Sequence, residues 1–551
     1  MTAHDWDGDS IDGRPTIFAH AVALSALHGY SPWPEGGHPL PDVPTEEREI
    51  VFPSVVRDGV TTHHFARPEV TDDEVREVAD VFLALARSRP SCVRDLAVLH
   101  ESLSGRPTVG LADRLAADLR ARRSSREPMP SSESLRRVAR MLVMGGSRRE
   151  AVKTGIVVLG TCGDERDRDL LVLLGALEEL TLFAVVALVA TQPDQERAVF
   201  EVARRVTGWG RIHAVERLTR TTDPEIQSWL LRDGFRNRVM YDYLACIAAT
   251  TGHLYEALLD PAPDQELVTS AGEILATLSL LGGPAKDMRH YPDAVPAMHR
   301  FAELTAEREP TLRLLDSLLV VKRFVTSASE FDWPDGEPAR LSARYAQLLE
   351  RPTWADVTMA ALTDHRGTDS FGRALSCARR LSIPVLEHAL RYLRDHADDC
   401  YAWHMATTEA DATTICQVVD LAAAVLPLDD IASGPAPDLG LGPGYRYDRV
   451  LEAVIPALAP YPGTGPELVR AALASRVVRV RRAALRVLSQ WPTTYRGWVS
   501  AVAAAEPDAK LRADMDAYLD SSPACDEGLA ELADVRDEVG QRSAIDRTGD
   551  S

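Results

Sequence analysis

Seven residues between positions 209 and 236 combine side chains suited to recognition: Trp209, Arg211, His213, Glu216, Arg217, Trp229 and Arg236. The run WGRIHAVER at 209–217 holds an indole, an imidazole, a carboxylate and two guanidinium groups. Guanidinium groups bind carboxylates and phosphates, and aromatic faces hold cations. The set reads as a partner-binding surface. A repeat interface with buried ion pairs is the plainer alternative. No catalytic role is assigned to any residue.

Six of the fifteen histidines fall in the first 64 residues: His4, His20, His28, His38, His63 and His64. A metal site would draw on His28, His38 and one of the adjacent pair, since neighbours in a strand face opposite ways. That spacing matches no metal motif, so loop and surface positions are the simpler expectation. His396, Cys400 and His404 recur every four residues, which is one face of a continuous helix. The surrounding DHADDCYAWH reads more simply as a helix end, a turn and a new helix capped by Asp398 or Asp399. The sequence therefore predicts neither a metal nor a cofactor. P-loop, GxSxG, HExxH and facial-triad patterns are not found. GLGPG at 440–444 lacks a preceding strand and contains Pro443, so it reads as a connector.

Two arginine-rich stretches stand out. One holds Arg120, Arg122, Arg123, Arg126, Arg136, Arg137 and Arg140. The other holds Arg470, Arg476, Arg479, Arg481, Arg482 and Arg486. Phosphate binding is one reading. Salt-bridged helix faces are the default, because arginine is the standard cation of this chain. Lysine occurs only at positions 153, 286, 322 and 510 among 61 basic residues. With abundant alanine, that bias resembles a GC-rich bacterial genome. A net charge of −21 argues against a chain built to coat nucleic acid.

These residues need elements to position them. The 551 residues are 45% hydrophobic, enough for a large core. Seven cysteines, none spaced as CxxC, suit a reducing cytoplasm rather than a disulfide framework. Residues 1–15 are acidic and lack the apolar run of a secretory signal. The most apolar stretch, 170–191, carries Glu178 and Glu179 near its middle and reads as a pair of buried helices. Two β-rich runs, 49–56 and 60–65, flank Asp58-Gly59, which predicts a hairpin with Pro53 on an edge strand.

From residue 71 onward the periodicity is helical. Thr71-Asp-Asp-Glu74 is a capping box followed by the stripe Val75, Val78, Val81, Phe82, Leu85. Ser147-Arg-Arg-Glu150 is a second match. Asp223-Pro224 opens a helix with proline at its first position. Helix pairs then recur about every 35–45 residues, the period of an α-solenoid. The Gly/Pro-rich stretch 431–446 interrupts the series as an ordered connector.

The segment GPELVRAALASRVVRVRRAALRVLSQW at 465–491 resembles a HEAT repeat. Val480-Arg481 with Ala484 matches the V-R-x-x-A pattern opening that family's second helix. Arg476 stands in the turn where the family carries Asp. Residues 166–190 resemble a repeat more loosely. The whole chain also resembles a group of bacterial HEAT-like proteins, some named limonene hydroxylase, yet no residues for such chemistry are identified. The resemblance implies a scaffold.

The expected architecture is an all-α solenoid of HEAT or armadillo type. A helical cap with a β-hairpin near 49–65 would occupy 1–130, the array 131–520, and a final helix and tail 521–551. The expected function is a cytoplasmic protein-binding scaffold, with a basic partner favoured by the acidic surface and no membrane association. Two alternatives are carried. One is an enzyme of unfamiliar type with a site between the cap and the first repeats. The other is nucleic-acid binding along the arginine-rich helices.

Overall fold

Thr71 and Glu74 form the capping box that the sequence predicts. The Thr71 hydroxyl accepts the Glu74 N–H at 3.2 Å, and the Glu74 carboxylate accepts the Thr71 N–H at 2.7 Å. Val75, Val78 and Phe82 are buried along the helix that follows, while Val81 faces solvent. The computed structural model describes residues 10–42, 54–65, 69–88, 93–124, 128–364 and 368–520. Among these, no β-strand occurs. The β-pairing is one isolated bridge between Asp438 and Val477.

The chain forms two compact units, 1–351 and 352–551. Unit one begins with α1 (Ile17–His28), α2 (Ser54–His64), α3 (Asp72–Arg87), α4 (Val93–Leu103), α5 (Thr108–Ser124) and α6 (Ser132–Gly145). It continues through α7 (Arg149–Cys162), α8 (Arg168–Gly175), α9 (Glu178–Thr191), α10 (Gln195–Ala203) and α11 (Trp209–Val215). After α12 (Pro224–Trp229) come α13 (Asp242–Thr251), α14 (Leu254–Leu258), α15 (Gln265–Leu278), α16 (Ala294–Ala306), α17 (Leu312–Ser327) and α18 (Glu337–Leu349). Neighbours pack as pairs, α6 on α7, α7 on α9, α8 on α9 and α15 on α17, a pattern compatible with a helical-repeat fold.

The core of unit one lies on α7 and α9. Val186 and Val189 leave one strip of the apolar helix α9 exposed, while Leu180, Phe183, Val185 and Leu188 are buried. Each such side chain contributes about 1.5–3 kcal/mol when removed from water. The stretch 170–191 is thus two mostly buried helices, α8 and α9, as its glutamates imply. No described helix is long and apolar enough to cross a membrane.

Two expectations are corrected. The hairpin does not form: residues 54–64 are α2, and 49–53 lie outside the described residues. Gly59 serves a close approach rather than a turn, because a Cβ there would stand 2.2 Å from Trp209 Cδ2. Thr62 donates its hydroxyl to the Asp58 and Gly59 carbonyls at 2.9 Å, as helical threonines do. The second capping box also fails. Ser147 donates instead to Asp12 at 2.6 Å, and Glu150 accepts the Thr108 N–H at 2.7 Å. The Ser147 and Arg148 amides donate to buried His100 Nε2 at 3.2 and 3.3 Å.

Unit two runs from α19 (Thr353–Thr363) to α29 (Ala509–Asp520). The HEAT-like segment is α26 (Pro466–Leu473) packed on α27 (Val478–Leu488). Arg481 is buried and grips Glu506 with two bonds at 2.7 and 2.6 Å. It also donates to the Ser475 and Ala436 carbonyls at 2.7 and 2.9 Å, which docks the 431–446 connector on this pair. Arg476, in the turn, pairs with Asp448 at 3.0 Å.

Candidate functional site

Helix α11 divides the seven sequence-selected residues between two environments. Every residue from Trp209 to Val215 is buried. Its N-terminal amides are held by a carboxylate from another helix. Glu178 accepts from Thr207, Gly208 and Gly210 N–H at 2.7, 2.6 and 2.6 Å. Trp209, His213 and the following Glu216 meet α2. Arg211 turns instead toward Trp229 and Arg236. Arg217 donates to the His213 carbonyl and lines a separate cavity of about 220 Å³.

On the α2 side, His63 Nε2 lies 2.9 Å from Glu216 Oε1, and His213 Nδ1 lies 3.9 Å from Glu216 Oε2. His63 Nδ1 is 2.8 Å from the Gly59 carbonyl. The His63 ring packs 5.2 Å from Trp209, 5.4 Å from His213 and 5.3 Å from Tyr243. His64 meets the Tyr243 hydroxyl at 2.6 Å. Burial lowers the pKa of His213 and keeps the ring neutral. Burial works against a charged His63 as well, but its bonds to Glu216 and Gly59 outweigh it and raise its pKa. Burial would raise the Glu216 carboxyl, and the two imidazoles bring it down to about 2.

One helical turn earlier on α2 sits a buried ion cluster. Lys153 of α7 is wholly buried. Its Nζ contacts Asp58 at 2.7 Å, Glu150 at 3.1 Å and Glu179 at 2.6 Å. Arg149 reaches Glu179 at 3.2 Å and Asp42 at 2.6 Å, and the Ser54 hydroxyl donates to Glu179. Burial would strip the proton from Lys153, yet three carboxylates hold it there. Glu179 is buried too, and Lys153 and Arg149 keep it below the usual carboxylate range. Burial raises the Asp58 carboxyl. This cluster has the character of an anchor: α2 is tied down by Asp58 at one point and His63 at another.

The other side of α11 opens on a cleft of about 750 Å³. Five arginines line it, Arg204, Arg205, Arg211, Arg236 and Arg238, against two carboxylates, Glu201 and Asp233. Tyr30, Trp229 and Tyr241 supply aromatic walls. A single π-helical turn, Leu230–Gly234, follows α12 and carries Asp233. Asp223 caps α12, accepting the Glu225 N–H at 2.9 Å, with Pro224 at its first position as the sequence predicts.

The five arginines divide by role. Arg211 is 4% exposed and donates to Val206, Asp233 and Arg236 oxygens at 2.7, 3.1 and 3.0 Å. Arg236 is fixed by Glu273 at 3.0 Å and Ser270 at 2.7 Å. These two frame the cleft. Arg204 and Arg238 are exposed and have no ion pair among the described residues. Arg205 bonds Glu201 at 2.9 Å and lies over the Tyr30 ring, but its buried Nε has no acceptor. The cleft thus presents unsatisfied donors beside aromatic faces, an arrangement suited to an anionic ligand.

Other sequence candidates resolve into structure. His28 and His38 do not join either histidine of the adjacent pair in a metal-ligating group among the described residues. His38 Nε2 lies 3.8 Å from Glu179 instead. Asp399 caps the helix beginning at Cys400, accepting the Tyr401 and Ala402 amides at 3.0 Å, and His396 stacks on Tyr392. Several arginines of the two runs are ion-paired, Arg122 with Asp80 and Asp118, Arg136 and Arg140 with Asp167, Arg479 with Glu452 and Arg482 with Asp508, while Arg126 lies outside the described residues.

The sequence reading missed Asp58, Glu150, Lys153 and Glu179 as a unit. One signal was present. Lys153 is the sole lysine before position 286 in an arginine-rich chain. In comparisons with known proteins, the chain matches no family model, no curated protein and no solved structure.

Proposed function

We propose that this protein is a binding scaffold of helical-repeat type, HEAT- or armadillo-like in plan, whose arginine cleft takes an acidic segment of a partner protein. The observation that carries this reading is the cleft's set of unpaired guanidinium donors, Arg204, Arg238 and Arg205 Nε, around Trp229 and Tyr241. An acidic segment with an aromatic residue would satisfy both kinds of wall. The acidic total charge had favoured a basic partner, but the cleft carries the opposite sign. The packed helix pairs support the scaffold. No disulfide joins the described cysteines, in keeping with a reducing setting.

The test is fluorescence anisotropy with a labelled Glu-rich peptide containing one tyrosine. The double variant Arg204→Glu/Arg238→Glu reverses two exposed charges that have no ion pair to lose. Two reversals worth about 1 kcal/mol each weaken binding roughly thirtyfold. Wild-type binding should also weaken as salt rises, since exposed charge pairs are screened. Absence of binding by the wild type, or equal affinity in the variant, would refute the proposal.

A further inference from the structure

We propose that His63, His213 and Glu216 form a binding site for one divalent transition-metal ion of the zinc type. The site lies on the α2 side of α11, away from the arginine cleft, and does not depend on the cleft's function.

Hydrogen-bond bookkeeping at His63 carries the argument. Its Nδ1 faces the Gly59 carbonyl at 2.8 Å, so that nitrogen must carry a hydrogen. The neutral ring then presents the lone pair of Nε2 directly to Glu216 Oε1, 2.9 Å away. Two acceptors cannot rest at that distance unless a cation lies between them. The cation is a second ring proton or a metal ion. His213 favours the metal ion, because its Nδ1 lies beyond hydrogen-bond distance of Glu216 Oε2. It brings a second imidazole to the same carboxylate, 3.9 Å from Oε2, and its side chain is 4% exposed. A proton serves two partners; a metal ion takes three or more.

The surroundings match what a metal-ligating imidazole needs. Its far nitrogen donates to a backbone carbonyl, which fixes the ring's tautomer and direction. The donor atoms of the three residues all lie within 4.8 Å of one another. Zn–N bonds of about 2.0–2.1 Å in a tetrahedron place ligand atoms about 3.3 Å apart. Glu216, whose side chain is 36% exposed, has room to adjust its distance to both imidazoles, and the two rings must draw together to complete the set. That exposure lets solvent reach the carboxylate, so water can complete the coordination shell. Two imidazoles and one carboxylate suit zinc, cobalt(II) or nickel(II) over magnesium or calcium, which prefer all-oxygen sites. Trp209 and Tyr243 wall the site and hold His63 in place.

The experiment uses the full chain stripped with chelator and titrated with Co²⁺ alone, followed by competition with Zn²⁺. The expected result is one equivalent of Co²⁺ with d–d bands of a low-coordinate ion, displaced by Zn²⁺. His63→Gln and Glu216→Gln should each weaken this by roughly a hundredfold or more, since loss of an outer-sphere partner alone costs 10–100-fold. Circular dichroism of each variant must match the wild type. Zn²⁺ should raise the wild-type melting temperature and leave both variants unmoved. If one variant fails to fold, the other decides. Absence of stoichiometric Co²⁺ uptake would mean that the cation at His63 is a proton, which overturns the proposal. Uptake unchanged in both folded variants would place the ion at other histidines and overturn it equally.

Discussion

Lys153 shows how much a single side chain can hold in this protein. It has no contact with water and touches three carboxylates from three helices, α2, α7 and α9. Such a group contributes little net stability over a well-packed apolar residue, because desolvation offsets attraction. Removing it alone is different, since the carboxylates remain buried. Lys153→Met should destabilise unit one by about 3–5 kcal/mol at neutral pH. The effect should shrink in acid, and the sign follows from proton binding. Glu179, held low in the wild type, contributes stability above its unfolded value near 4.5 that is lost as pH falls through the lower folded value. Without Lys153 the burial of Asp58 and Glu179 is no longer offset, so the variant gains stability as they protonate. Denaturant midpoints at pH 7 and about pH 5 measure the difference. A variant as stable as the wild type at pH 7 would show that the cluster is not an anchor. Arg57, whose side chain is 45% exposed, makes the contrast: its loss should cost at most about 1 kcal/mol.

At the scale of elements, α2 is the informative case. Its sequence, SVVRDGVTTHH, has the β-branched residues and Asp-Gly step of a hairpin, and those are local signals. What decides the outcome is distant in sequence: Asp58 meets Lys153, Gly59 meets Trp209 and His63 meets Glu216. Gly59→Ala tests this directly. Alanine favours an isolated helix by about 1 kcal/mol over glycine. Here its methyl would collide with the Trp209 ring, an overpacking cost of about 1–3 kcal/mol. The variant should therefore be less stable, with faster hydrogen exchange confined to residues 54–64. Unchanged exchange there would mean that α2 does not rest on Trp209. The same contrast explains what the sequence revealed. The caps of α3 and α12 were legible because their partners lie within three residues. The failed cap at Ser147 was not, because Asp12 and His100 supply the real partners from far upstream. The pairing of His63 with Glu216 spans 153 positions, and no spacing rule reaches that far. The arginine runs looked alike in sequence, but their acidic partners sit on neighbouring helices and turns.

On the scale of the whole molecule, the two units set limits on what must cooperate. Unit one comprises 351 residues. A single globular core stops growing at about 250–300 residues, whereas a stack of helix pairs can extend further because each pair contacts only its neighbours. Both candidate sites, the ion cluster and the core helices α7 and α9 all belong to this unit. Arg351, its last residue, donates to the Thr305 and Arg308 carbonyls at 3.3 and 3.4 Å, so the unit closes on its own backbone. Unit two carries a separate buried centre on α26 and α27. A chain ending at Arg351 should accordingly fold alone. It should show helical circular dichroism, a cooperative unfolding transition and the Co²⁺ stoichiometry of the full chain. An aggregated or non-cooperative fragment would mean that unit one draws its stability from residues beyond 351. A folded fragment that no longer binds the acidic peptide would overturn the assignment of that binding to the arginine cleft, whose lining lies wholly within unit one.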